Sequence, residues 1–139
     1  MHQRTILITG CSSGIGYAVA HGLHERGYRV FATARKAADV ERLLAEGLES
    51  VQLDLDDTQS INAAVREILG RTGNRLDALF HNGAYSQPGA VEDLRRDVLR
   101  RQFETNLFGW HELNNLVLPV MRAQGHGRII FNSSILGFI

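Results

Sequence analysis

Lysine is nearly absent from this chain: Lys36 is the only one, and arginine supplies the rest of the positive charge. A single cysteine, Cys11, excludes an internal disulfide framework and fits a reducing compartment. No apolar run approaches the roughly 20 residues that a membrane-spanning helix needs. Met1-His2-Gln3-Arg4 runs within a few residues into an apolar strand, which leaves no room for a signal peptide and makes the cytoplasm the expected location. Net charge is missing too, because 15 basic and 15 acidic residues cancel. That balance removes the basic excess by which proteins engage nucleic acid or an anionic membrane surface. Six histidines offer no metal site: His21 and His24 share a helix face, but no third ligand accompanies them.

What the chain has is glycine, 14 residues of it, and a regular alternation of short apolar runs with longer segments of helical period. That alternation is the pattern of βαβ units on a parallel sheet. Strands are expected at 5–9, 29–34, 50–53, 78–80 and 128–131. Helices are expected at about 14–26, 38–46 and 58–69, with a long helical region at 92–123. Ile15, Val19 and Leu23 are placed on the sheet-facing side of the first helix, Thr58 caps the third, and Leu94, Val98, Phe103, Leu107, Trp110 and Leu113 form the buried stripe of the long region. Gly109 and Pro119 are candidate bends or ends within that region. Right-handed crossovers favour the strand order 3-2-1-4-5, an α/β Rossmann-type doubly wound parallel sheet. Residues 1–139 read as one dinucleotide-binding domain. The apolar ending Gly137-Phe138-Ile139, shortly after the fifth strand, reads as a sheet cut short, which leaves the fifth strand as an unpaired edge.

The first strand ends in Thr9-Gly10-Cys11-Ser12-Ser13-Gly14-Ile15-Gly16, and a helix follows directly. Unpaired N–H groups and the helix dipole make such a junction an anion site. Gly10 allows the sharp exit from the strand, Gly14 lets a pyrophosphate approach the backbone, and Gly16 permits close packing of the helix. Ser12 and Ser13 add hydroxyl donors. No Lys-Ser or Lys-Thr follows the last glycine, so the turn is not a P-loop. Gly10-Cys11-Ser12-Ser13-Gly14 also fits the Gly-x-Ser-x-Gly frame of a hydrolase elbow, but no oxyanion-hole strand precedes it. At the end of the second strand, Arg35 and Lys36 stand where an acid would select NAD, and the next acid is Asp39. This favours NADP over NAD, with a solvated Arg-Lys pair as the competing reading. Asp54, at the end of the third strand, can reach an adenine amino group.

Taken together these segments resemble the short-chain dehydrogenase/reductase family, and the glycine turn is similar to that of its 17β-hydroxysteroid and retinol dehydrogenase relatives. Thr9-Gly10-x-x-x-Gly14-Ile15-Gly16 resembles the family's cofactor motif, and Asp54-Leu55 its adenine-contacting pair. His81-Asn82-Gly83-Ala84 stands where the family has Asn-Asn-Ala-Gly, keeping only Asn82. Asn106 corresponds to the active-site asparagine, and Ser134, in Asn132-Ser133-Ser134, to the catalytic serine. The resemblance implies an oxidoreductase that transfers a hydride between NADP(H) and a carbonyl or alcohol substrate, and a homodimer or homotetramer built through the long helix. It also implies a Tyr-x-x-x-Lys proton donor, but none of Tyr17, Tyr28 or Tyr85 has a lysine four residues later. The chain is therefore expected to carry the cofactor side of the reaction and to be nearly inactive alone. A non-catalytic nucleotide sensor of the same fold, and a structural subunit that binds no nucleotide, remain the alternatives.

Overall fold

The computed structural model describes residues 3–138. Met1, His2 and Ile139, on which the readings of the two chain ends rest, lie outside the described residues. In chain order the elements are β1 (Thr5–Ile8), α1 (Gly14–Glu25), β2 (Arg29–Ala34), α2 (Ala37–Ala45), β3 (Glu49–Gln52), α3 (Thr58–Thr72), β4 (Ala78–His81), α4 (Arg96–Phe103), α5 (Gly109–Ala123) and β5 (Arg128–Phe131). A five-residue π turn, Glu104–Phe108, joins α4 to α5, and short 3₁₀ turns occupy Val91–Asp93 and Ile135–Phe138.

All strand pairs are parallel, in the order β3-β2-β1-β4-β5. β1 is hydrogen-bonded on both sides, which is why all four of its residues are buried and its sequence is apolar without alternation. Successive side chains still point to opposite faces. Leu7, Phe31, Val51 and Leu79 pack against Ile61, Val65 and Ile68 of α3 and Leu113, Val117 and Met121 of α5. Ile6, Ile8, Val30 and Ala32 pack on the other face against Ala20 of α1 and Leu43 of α2. Helices thus cover both faces. The chain reverses its direction of travel across the sheet between β1 and β4, and a crevice opens at their C-terminal ends, the position where doubly wound sheets bind ligands.

Three side-chain expectations change. Ile15 faces away from the sheet and is 58% exposed, while Gly16 and Ala20 are the buried residues of α1. The helix approaches the sheet too closely for a large residue on that line. Asp57, not Thr58, caps α3: its carboxylate accepts from the backbone N–H groups of Gln59 and Ser60 at 2.8 and 3.3 Å, whereas the Thr58 hydroxyl donates to Glu112 of α5 at 3.0 Å. The long helical region is broken. Leu94 has extended backbone, the π turn interrupts the second half, and Phe103 and Leu107 are exposed rather than buried. Gly109 marks the start of α5, but Pro119 lies inside it without ending it.

β5 is the last strand of the sheet among the described residues, with Ile130 and Phe131 substantially exposed. On the α1 side, Val19, Leu23 and Tyr28 stand opposite Phe80 and Ile130 across an apolar groove of about 620 Å³.

Candidate functional site

The backbone of the glycine turn explains its sequence. Gly10 and Gly14 have φ of +70° and +59°, in the left-handed region that side-chain-bearing residues avoid. A Cβ at Gly10 would lie 2.6 Å from the Gly83 Cα, and one at Gly16 would collide with the Gly10 carbonyl oxygen and the Asn82 amide nitrogen. At Gly14 a Cβ would meet nothing within 4 Å. Two of the glycines are therefore required by neighbouring protein atoms, and the third faces open space. Ser13 is the N-cap of α1 with extended backbone and makes no side-chain capping bond, so its hydroxyl does not satisfy the first N–H groups of the helix.

Thr9, Asn82 and Asn132 hold this turn. The Thr9 hydroxyl oxygen accepts from the backbone N–H groups of Asn82 and Gly83 at 3.0 and 2.9 Å. The Asn82 side-chain amide donates to the carbonyls of Thr9 and Gly10 at 3.2 and 3.1 Å, and its oxygen accepts from the Asn132 amide at 2.9 Å. Asn82 thus joins β1, β4 and the end of β5. Cys11, fully buried within the turn, donates its thiol to the Ile8 carbonyl at 3.3 Å, and burial pushes its pKa up to about 12. The helix start does not activate this thiol, because desolvation outweighs the dipole.

A cleft of about 730 Å³ opens beside the turn, walled by Gly10, Ser12, Arg35, Asp54, Leu55, Gly83 and Ala84 of the sequence-derived set. Ser13, Gly14, Ile15 and Gly16 form the adjoining helix start. Lys36 is the N-cap of α2 and does not belong to the cleft wall. Asp54 accepts from the Asp56 N–H at 3.0 Å, and Leu55 lies between Gly83 and Gly109, where a Cβ at Gly109 would strike the Leu55 carbonyl. Arg42 reaches the Ser12 carbonyl at 2.7 Å and the Asp39 carboxylate at 3.3 Å. Asp39, the first acid after β2, is thus held by a cation of its own helix.

Asn106 and Ser134 do not sit in that wall. Asn106 lies in the π turn and is clamped to the backbone of Tyr85, donating to its carbonyl at 2.7 Å and accepting from its N–H at 3.1 Å. π turns recur at functional sites. Ser134 is exposed after β5, where its hydroxyl accepts from the Leu136 N–H at 3.2 Å. Three cleft residues escape the sequence pattern: Tyr85, Arg101 and Thr105. By spacing alone, Arg101 belongs to a cluster of solvated arginines paired with acids along a helix. In the structure the ion pair of that cluster is Arg95 with Asp97 at 2.9 Å, and Arg101 reaches the cleft. Its position one turn before Thr105 and Asn106 is the available signal. Among the described residues, no group of three or more His, Cys, Asp or Glu is arranged to hold a metal ion.

The sequence pattern described as short chain dehydrogenase matches residues 4–139. The chain belongs to the short-chain dehydrogenase family. It is 40% identical over 137 residues to the uncharacterized oxidoreductase YbbO of Escherichia coli K12, a match covering 99% of this chain and 51% of that protein. Among solved structures, a short-chain dehydrogenase from Streptomyces avermitilis superimposes with a TM-score of 0.92 at 34% identity, covering 99% of this chain and 51% of the other. A gluconate 5-dehydrogenase from Burkholderia cenocepacia, solved in complex with NADP and tartrate, gives a TM-score of 0.86 at 27% identity and covers 100% and 56% of the two chains. The chain spans about half the length of the curated relatives it matches. Its parallel sheet, in the order β3-β2-β1-β4-β5, is shared with these structures.

Proposed function

We propose that the protein of which this chain forms the matched half of the family pattern is an NADP(H)-dependent oxidoreductase acting on a small carbonyl or alcohol substrate. The observation that carries the reading is the convergence of Gly10, Ser12, Arg35, Asp54, Leu55, Gly83 and Ala84 on one cleft beside a helix start that faces open space at Gly14. A dinucleotide fits these residues: its pyrophosphate would lie against the backbone of 12–16, with the hydroxyls of Ser12 and Ser13 as donors, and its adenine against Asp54 and Leu55. Asn82 keeps the turn in shape, and Ala84 continues the wall. When bound, the nicotinamide supplies or accepts the hydride.

The choice of NADP rests on charge. Arg35 lines the cleft, Lys36 follows it, and Asp39, the first acid after β2, is engaged by Arg42. The NADP in the Burkholderia relative is consistent with this choice. Ser134 would hydrogen-bond the substrate oxygen, and Asn106, already fixed by Tyr85, would order the water through which a proton reaches solvent. No Tyr-x-x-x-Lys occurs in these residues. The proton donor therefore comes from elsewhere in the protein, and this stretch alone turns over carbonyls slowly or not at all, since a positioned acid or base typically contributes about 10²–10⁴-fold.

The protein works as a homodimer or homotetramer in the cytoplasm. Support for association comes from Leu99, Phe103, Leu107 and Phe108, all exposed along α4 and the π turn. The test of the cofactor assignment is titration of Arg35→Ala with NADPH and NADH. A charge-assisted contact is worth about 1.5–3 kcal/mol, so NADPH should bind roughly 10–150-fold more weakly while NADH is unchanged. Equal losses for both, or no NADPH binding by the parent protein, would refute the assignment.

A further inference from the structure

His81 is the least expected residue of the sheet. It ends β4, is completely buried, and carries a ring nitrogen, Nδ1, that is buried without a hydrogen-bond partner. Its Nε2 lies 2.8 Å from the Asn114 side-chain oxygen. That oxygen only accepts, so the proton resides on Nε2 and the orphan Nδ1 keeps its lone pair. Such a group costs more to bury than an apolar ring of the same size. Its retention calls for a return elsewhere.

The surroundings supply one. His81 is the middle ring of a three-ring stack. Trp110 of α5 lies on one side at 5.0 Å and 20°, and Phe131 of β5 on the other at 4.8 Å and 16°. Each outer ring leads directly to the nucleotide turn. The Trp110 indole N–H donates to the Gly83 carbonyl at 2.8 Å, and Gly83 is the cleft residue against which Gly10 packs. Phe131 is followed by Asn132, whose N–H donates to the His81 carbonyl at 2.9 Å and whose amide holds Asn82, itself bonded to the Thr9 and Gly10 carbonyls. Two clamps therefore fix the turn, one through Gly83 and one through Asn82, and His81 sets the position of the ring behind each.

We propose that His81 is a positioning residue for the dinucleotide turn, acting through Trp110 on Gly83 and through Phe131 and Asn132 on Asn82. The Asn114 bond fixes the rotation of the imidazole, so the plane of the stack is set by α5 as well as by the sheet. A plain core residue in its place would leave the packing but not that rotation. The dinucleotide itself enters this inference through the function proposed above, whereas the control of the turn does not depend on it.

The experiment compares the protein at its natural length with His81→Ala, His81→Phe and Trp110→Phe. Amide hydrogen exchange of segments 9–16 and 82–85 is followed in the ligand-free state, and NADPH affinity is measured in parallel. His81→Ala should speed exchange in both segments about fivefold or more and weaken NADPH by a similar factor, while segment 49–52 of β3 stays as protected as in the parent. His81→Phe, which keeps the stack, should restore most of the protection. Trp110→Phe keeps the rings and loses only the indole N–H, so it should loosen 82–85 more than 9–16. Unchanged exchange in Trp110→Phe, or His81→Phe as loose as His81→Ala, would overturn the inference, and Trp110→Phe decides the matter even if His81→Ala does not fold. If the parent binds no NADPH, the proposed function falls, and the exchange data still decide the role of His81.

Discussion

Gly14 and Gly16 lie two residues apart in one turn, yet the structure assigns them opposite sensitivities. A methyl group on Gly16 collides with the Gly10 carbonyl and the Asn82 amide, both held by other bonds, so neither neighbour can yield cheaply. Overpacking of this kind costs about 1–3 kcal/mol. A methyl on Gly14 meets nothing within 4 Å, and its only cost is the left-handed backbone at +59°, about 1–2 kcal/mol. At roughly 2–4 °C per kcal/mol for a protein of 150–250 residues, Gly16→Ala should lower the thermal midpoint by about 2–12 °C and Gly14→Ala by about 2–8 °C. Binding should separate them more clearly than stability does. Gly14→Ala fills the space that a pyrophosphate would occupy, so NADPH affinity should fall by at least tenfold in a protein that is still folded. The assay is calorimetric unfolding beside an NADPH fluorescence titration. Native-like affinity in Gly14→Ala would refute the placement of the pyrophosphate, and a Gly16→Ala protein as stable as the parent would refute the packing argument.

Other outcomes rest on single residues. Cys11, whose thiol is raised to about 12 by burial, should resist alkylation by iodoacetamide at pH 8 in the folded protein and react fully in denaturant. Labelling of the native protein at the free-thiol rate would contradict that burial. Burial holds the His81 pKa below its ordinary 6.5, with the Asn114 bond opposing. The unfolded chain therefore takes up a proton near pH 6.5 that the native state refuses, and stability is lost as pH falls below that value, by at most about 1.4 kcal/mol per pH unit. His81→Phe should flatten this slope in urea denaturation run between pH 7 and 5, and an unchanged slope would assign the loss to other groups. Asp57→Ala should cost about 0.5–2 kcal/mol through the lost cap of α3, while Thr58→Val, which removes only the exposed Glu112 bond, should cost less than half as much. The reverse ranking in urea denaturation would restore Thr58 as the cap.

Most of the sheet is legible in the sequence because its strands are short apolar runs closed by glycine or polar residues, and parallel order comes from the intervening helices. The glycine turn is legible for a similar reason, since each glycine there answers to a backbone contact or a ligand-sized space. The features that escape the sequence depend on distance rather than residue type. Ile15 is misplaced by periodicity because α1 packs on the sheet through Gly16 and Ala20, and hydrophobicity alone cannot report how closely a helix approaches. The stripe Leu94 to Leu113 fails because the π turn adds a residue and rotates the rest of the helical region by about 100°. Beyond that turn, Gly109, Leu113, Val117 and Met121 carry the buried line. Arg101 is hidden among four arginines whose local acids explain them equally well, and only the folding of α4 over the cleft distinguishes it.

Asn82 carries a consequence of a different kind. Its nitrogen gives both hydrogens to carbonyl oxygens of β1 and the turn, and its oxygen takes one from Asn132, so the head group is used in one orientation only. Aspartate has the same shape and none of those hydrogens. At this position it would set a carboxylate against two carbonyls, exchanging two attractions for two repulsions at the floor of an anion site. The most conservative substitution by size is thus the least tolerable by polarity, and the identity of this side chain is fixed by the direction of its hydrogen bonds rather than by the room it fills.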